Sequence, residues 1–333
     1  MMAKKKFAFL LLSGTLLTNS YGQQVVSKPS RSQFDLSLFG KQSLSSTSLV
    51  VHNVRGSKLG LYALVSPGPV AKKAAILHTN TQGVLQSSVI LPEEHEVIDF
   101  DADSRGRVYV LMARNSRTVN ASSTNTIATY GPDGRLLAET EVPLATTRIC
   151  WTGEKLSMLT VQGTVSQFRF ADAAQSLLFA LPPVSSPDVI ALPQGRVAVL
   201  NKSEGVIHTA VLGSGSVSLL TPVIPGAAPP HRDGSFVHPH PHLSVPFSDI
   251  AAGPDDSIAL LPGSYRLSEG APIYLFSMSG TLTGSFRCNL PTLASQISKE
   301  NPRGYIAPTY IATAGKQLVL VSGRGQVALY DYE

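Results

Sequence analysis

Residues 98–110, IDFDADSRGRVYV, followed by residues 126–142, TIATYGPDGRLLAETEV, decide the architecture because they recur. They align with residues 249–261, DIAAGPDDSIALL, followed by residues 272–286, PIYLFSMSGTLTGSF. Each copy reads as an apolar strand, a turn, a β-branched or aromatic strand, a longer polar stretch, a third strand, a tight Gly turn and a fourth strand. That order predicts one four-stranded antiparallel unit, and a unit that recurs along a chain buries its faces by stacking on its neighbours.

Weaker copies fill the remaining chain: 188–200 with 206–220, 148–160 with 165–181, and 50–65 with 74–91. The last, 310–321 with 326–332, supplies only three strands before the sequence ends. A three-stranded final unit leaves an open sheet edge, which natural proteins avoid. The alternating segment 33–39, QFDLSLF, lies before the first full unit and is expected to pair with 326–332 as the missing outer strand. The sequence therefore predicts an all-β, six-bladed β-propeller of four-stranded antiparallel blades, closed by an N-terminal strand. A seven-bladed ring and a pair of β-sandwiches are the competing arrangements. Composition agrees with many short strands and turns: 27 Gly and 23 Pro, only 15% charged residues, and no sustained helical period beyond the N-terminus.

Lys4, Lys5 and Lys6, the apolar run 7–17 and the small polar stretch 18–22 have the order of a secretory signal peptide. The run is about half the 20 apolar residues a spanning helix needs. Residues 1–22 are thus expected to be cleaved before Gln23, leaving 23–333 as a single exported domain, periplasmic or extracellular, with no integral membrane segment. Removing those three lysines from the 27 basic residues leaves 24 against 22 acidic ones, a balance that gives nucleic acid no electrostatic reason to bind. Cys150 and Cys288, the two cysteines, fall in blades that are not ring neighbours and are expected to remain free thiols.

Counting seven residues back from Gly106, Gly195 and the equivalent Asp256 lands on Asp99, Asp188 and Asp249, at the start of the innermost strand, where a propeller rims its central channel. Such aspartates ordinarily accept backbone amides; convergent, they are also candidate ligands for a divalent cation. The equivalent positions elsewhere give Arg148 and Thr309 or Tyr310, with no Glu or Asn in register. A second candidate metal set, His238, His240 and His242, lies with His231 in the Pro-rich stretch 222–246, although its spacing is not that of a structural zinc site. Strand parity places the long connections 114–123, 222–246 and 263–271 on the face that bears the aspartates. No nucleophile elbow, phosphate loop or paired catalytic carboxylates are present at a recognised spacing.

The repeated pattern of apolar residue, Asp, apolar residue, Gly turn and apolar-Tyr-Val, as in 98–110, resembles the blades of six-bladed propellers of the NHL-repeat and TolB-like kind. The resemblance covers nearly all of 23–333. It implies the fold and leaves function open, since that architecture hosts binding modules, lyases and hydrolases alike. The expected function is a non-catalytic scaffold, monomeric and without a required cofactor, that binds a protein, peptide or glycan through the looped face. The alternative is a metal-dependent hydrolase or lactonase resembling the gluconolactonase-like propellers.

Overall fold

The computed structural model describes residues 33–44, 49–69, 73–114, 124–153, 155–170, 174–182, 187–202, 204–211, 216–222, 247–263, 270–288, 290 and 306–332. The signal peptide expected over residues 1–22, with its cleavage point, lies outside the described residues. Strand β1 (Gln33–Asp35) is followed by helix α1 (Ser37–Leu44). Blade one then comprises β2 (Val50–Ser57), β3 (Gly60–Ser66), β4 (Ala75–Thr79) and β5 (Leu85–Ile90). Blade two comprises β6 (His95–Ala102), β7 (Val108–Arg114), β8 (Asn125–Tyr130) and β9 (Leu136–Val142). Blade three holds β10 (Thr146–Trp151), β11 (Leu156–Thr160), β12 (Thr164–Arg169) and β13 (Ala174–Ala180). Blade four holds β14 (Pro187–Leu192), β15 (Arg196–Asn201), β16 (Val206–Val211) and β17 (Val217–Leu220). Blade five holds β18 (Asp249–Ala252), β19 (Ile258–Leu261), β20 (Ala271–Phe276) and β21 (Leu282–Cys288). Blade six is β22 (Tyr310–Ala314), β23 (Gln317–Val321), β24 (Gln326–Asp331) and, on its outside, β1.

Every blade is an antiparallel sheet, a simple meander in blades one to five, and each innermost strand packs against the innermost strand of the next blade, with β22 returning to β2. The molecule is a six-bladed β-propeller. Its core is divided accordingly. Leu77, Val319 and Leu329 fill the seam between blades one and six, Ile76, Phe100 and Val110 that between one and two, and Leu111, Ile149 and Phe168 that between two and three. Val165, Val189 and Val199 fill the next seam, Leu200, Ile258 and Phe276 the one after, and Leu261, Ile273 and Leu320 the last. Each sheet is covered on both faces by its neighbours, so its middle strands read as nearly continuous apolar runs: all of Gly60–Ser66 is buried.

Ring closure occurs through the expected pair of segments: Gln33 pairs with Ala328, Phe34 with Val327 and Asp35 with Gln326. The expected strand is cut short, however, because 36–39 are not extended. Asp35 Oδ1 accepts the N–H of Ser37 at 2.8 Å, a local bond that turns the chain. Leu36 is then fully buried in the seam, and its carbonyl accepts the N–H of Gly40 at 3.0 Å, which starts α1. Gly83, at φ +79°, lies against the Phe34 ring so closely that a Cβ there would overlap it. No described helix is long and apolar enough to cross a membrane.

Candidate functional site

One residue from each innermost strand stands at the same level of the channel. The register fixes this: Asn53, Asp99, Arg148, Asp188 and Asp249 pair with Leu64, Leu111, Leu159, Leu200 and Leu261, and Tyr310 pairs with Val321. The three aspartates are thus equivalent, as their spacing predicts. Asp188 and Asp249 lie in the first two residues of their strands, whereas Asp99 is the fifth of β6, after a bulge between Val97 and Asp99. The expectation of no Asn in register is corrected by Asn53. It too lies seven residues before a turn glycine, Gly60, behind a bulge of its own between Val51 and Asn53.

These six side chains form a closed hoop in which each blade is tied to the next. Asn53 Nδ2 donates to Asp99 Oδ1 at 2.8 Å, and Asp99 Oδ2 accepts the Ile149 N–H at 2.9 Å. Arg148 Nε donates to the Pro187 carbonyl at 2.9 Å, and Asp188 shares a hydrogen bond with Asp249. Asp249 Oδ2 accepts the Ile311 N–H at 2.7 Å, and the Tyr310 hydroxyl donates to the Val51 carbonyl at 3.1 Å. The amides that Asp99 and Asp249 accept belong to the following blade, whereas Asp188 accepts the Val189 N–H of its own strand. The innermost strand has no inner neighbour in its own sheet, and the hoop satisfies polar groups that face the channel.

Arg55, two residues along β2 from Asn53, fills the centre of the hoop. Its Nη2 lies 3.1 Å from Asp99 Oδ1 and 3.5 Å from Asp188 Oδ1, while Nη1 donates to Asn53 Oδ1 at 3.1 Å. One level down, Asp101 accepts the Trp151 N–H at 2.6 Å, and Cys150 occupies the equivalent position of blade three. Burial lowers the Arg55 pKa, but Asp99, Asp188 and Asp101 outweigh it and hold the guanidinium charged. Burial pushes Asp101 up to about 6 against the pull of Arg55. Burial also acts to raise Asp188, where Arg55 prevails and holds it below the usual carboxylate range. Asp249 sits well above that range through burial and the adjacent Asp188 charge.

The carboxylates converge on an arginine, and this donor set does not fit a divalent cation: the oxygens of Asp99 and Asp188 are directed at Arg55, Asn53 and amide N–H groups, and Asp249 Oδ2 accepts the Ile311 N–H. Among the described residues no three His, Cys, Asp or Glu side chains are placed to hold a metal. His231, His238, His240 and His242 lie outside the described residues. Cys150 and Cys288 are both free and buried. Trp151 is half-buried and stacks on Tyr109 with ring centroids 4.9 Å apart, as a blade-core residue does.

Above the hoop, the channel opens into a cavity of about 230 Å³ lined by His52, Asn53, Arg148, Asp188, Lys202 and Tyr310, with an apolar wall at Leu64, Val97 and Ile98. Lys202 follows β15, so this mouth lies on the face where second strands end and innermost strands begin. Between the described strands, every connection on the opposite face has five residues or fewer, whereas on the mouth face 67–74, 115–124, 221–248, 262–270 and 289–309 are longer. The sequence offered no local sign of Arg55 or Lys202, because each acts on residues of other strands.

No protein-family model and no curated protein matches the chain. Solved structures do, at low identity. A Bacteroides thetaiotaomicron structural-genomics protein of unknown function superposes with a TM-score of 0.55 at 10% identity, over 91% of this chain and 73% of that one. A chain of the mitotic checkpoint complex gives 0.53 at 10% identity over the whole of both chains. The WD40 repeats of RRP9 give 0.51 at 12% identity, over 86% of this chain and 98% of that one. These likenesses support the propeller fold alone.

Proposed function

We propose that the protein is an exported, monomeric, non-catalytic propeller of the NHL-like kind whose looped face binds a protein, peptide or glycan partner. The observation that carries this reading is the hoop. The acids and bases that a channel enzyme would use are engaged in tying blade to blade, and the longer connections gather around a rigid frame on one face only. A stiff frame presents such loops at little ordering cost. A metal-dependent hydrolase would need an open coordination site, and the centre of the hoop holds a guanidinium instead.

The buried thiols make the test simple, because a surface cysteine can be modified alone. Glu94→Cys lies on the connection between β5 and β6 on the mouth face, and Arg135→Cys lies on the β8–β9 turn of the opposite face; both positions are exposed. Each variant is coupled to a polyethylene-glycol maleimide and compared with wild type for capture of partners from the medium or periplasm of the exporting cell. Blocking by the Glu94 adduct and not by the Arg135 adduct supports the reading. The reverse pattern overturns it.

A further inference from the structure

We propose that the channel mouth is a carboxylate-binding site that receives the free acid group of a peptide, either an Asp or Glu side chain or a chain terminus, docked on the looped face; this rests on that face being the working surface. The polar groups offered to the ligand come from four blades. Arg148 is held in one orientation by two backbone carbonyls, Nε to Pro187 at 2.9 Å and Nη1 to Thr147 at 2.7 Å. A guanidinium has five N–H donors, so donors remain for the cavity it lines. A planar fork held by its surroundings suits a carboxylate. Lys202, on the same cavity and only 28% exposed at its side chain, adds a second positive charge. The Tyr310 hydroxyl and the Asn53 amide complete the polar lining.

Asp188 also lines this cavity, but it does not repel an anion there. Its oxygens are met by Arg55 and Lys202, each at 3.5 Å, and by the Val189 N–H at 2.9 Å, and it shares a hydrogen bond with Asp249. Of the charged groups that line the cavity, Arg148 and Lys202 face a single carboxylate, Asp188, while Arg55 is compensated behind it by Asp99 and Asp101. A cationic ligand would meet two cations. Size narrows the class further: about 230 Å³ is below the roughly 300–1,000 Å³ of pockets that enclose a whole small-molecule ligand, and suits one side chain or terminus.

The experiment follows the Arg148 Nε–Hε signal of ¹⁵N-labelled protein by NMR, during titration with acetyl-Ala-Asp-Ala-amide, its Asn counterpart, acetyl-Ala-Ala-Ala free acid and sodium acetate. The acid peptides are expected to shift this signal saturably and the Asn peptide to leave it unmoved. Because Arg148 also ties blade three to blade four, Lys202→Gln is the working variant; it should weaken the acid peptides by about threefold to tenfold, while Lys316→Gln on the opposite face leaves them unchanged. Saturation by acetate as tight as by the peptides keeps the carboxylate site but overturns the peptide as its source. No saturable shift with any acid below about 50 mM, equal binding of the Asn peptide, or equal effects of the two lysine variants overturns the site. If the probes fail while the Glu94 adduct still blocks partner capture, only the carboxylate inference falls. If the probes bind while that adduct blocks nothing, the looped-face reading falls.

Discussion

Arg55 of blade one and Asp188 of blade four stand on opposite walls of the channel, and the Arg55 guanidinium crosses it to within 3.5 Å of the Asp188 carboxylate. The same guanidinium meets Asp99 of blade two at 3.1 Å, so a single side chain braces three of the six blades. Removing one partner of a buried ion pair leaves the others uncompensated, typically at a cost of about 3–5 kcal/mol. Arg55→Met should lose about that much stability in urea denaturation at pH 7. Arg55→Met with Asp188→Asn should lose less than the two single changes added together; additive losses would show that the brace is not energetically coupled.

Closure by β1 makes a second prediction. Deleting residues 23–44 exposes the outer edge of β24 and uncovers part of the seam that Phe34 and Leu36 fill. The urea midpoint should fall, and amide exchange should accelerate more in β24 than in β12, which lies across the ring. Equal acceleration in both strands would mean that β1 adds stability without closing the ring.

The fold was legible because blade sheets are local: a strand, a turn and the next strand are adjacent in the chain, and the Gly turns mark them. The three aspartates were legible for the same reason, through a fixed distance from a turn glycine. Asn53 lies at the same count from Gly60, but a repeat of aspartate does not reveal an asparagine. Arg55 was illegible in principle, since its meaning depends on Asp99 and Asp188, which are 44 and 133 residues away. The error at 36–39 has a local cause. Leu36 with Leu38 fits an alternating strand and Leu36 with Phe39 a helical turn, and the Asp35 to Ser37 bond decides between them.

Thiol accessibility gives a third test. Cys150 lies in blade three and Cys288 in blade five, each about 1% exposed, and burial raises both thiols far from the reactive range. A thiol reagent should find no reactive group in the native protein and two per chain under denaturing, non-reducing conditions. None after denaturation would reveal a disulfide and contradict the placement of the two blades.

Asp101 should leave its mark on the pH dependence of stability. Its pKa is raised by burial from 3.8 to about 6, so the folded state holds this proton more tightly than the unfolded chain. The resulting stabilisation is complete below pH 3.8 and is lost as pH rises through about 6, a change of roughly 3 kcal/mol at 1.36 kcal/mol per unit. Asp101→Asn cannot titrate. Whatever its fixed offset, its stability relative to wild type should therefore rise between pH 4 and pH 7 and then level off. A flat difference across that window would show that Asp101 is ionised throughout.

The last prediction separates the brace from a metal enzyme by treating the three equivalent aspartates as unequal. Asp249 accepts the Ile311 N–H, and burial beside the Asp188 charge raises its pKa, so of the two it is the one that holds a proton more readily. An asparagine keeps both an acceptor and a donor in that place, so Asp249→Asn should change stability by less than about 1 kcal/mol. Asp99 is different, because it accepts from Asn53, Arg55 and Ile149 and donates to none. Asp99→Asn turns an N–H₂ group towards one of these donors and removes the charge that Arg55 requires, so it should cost about 3 kcal/mol or more. If the carboxylates instead held a catalytic cation, Asp249→Asn would abolish metal binding and turnover in a protein that stays fully folded. Urea denaturation of each variant, with metal content and lactone and ester hydrolysis measured on the same samples, distinguishes the two cases. Unequal losses of stability, without stoichiometric metal or turnover in wild type, mark the aspartates as ties between blades. Stoichiometric metal and turnover in wild type, both lost in a folded Asp249→Asn, would overturn that assignment.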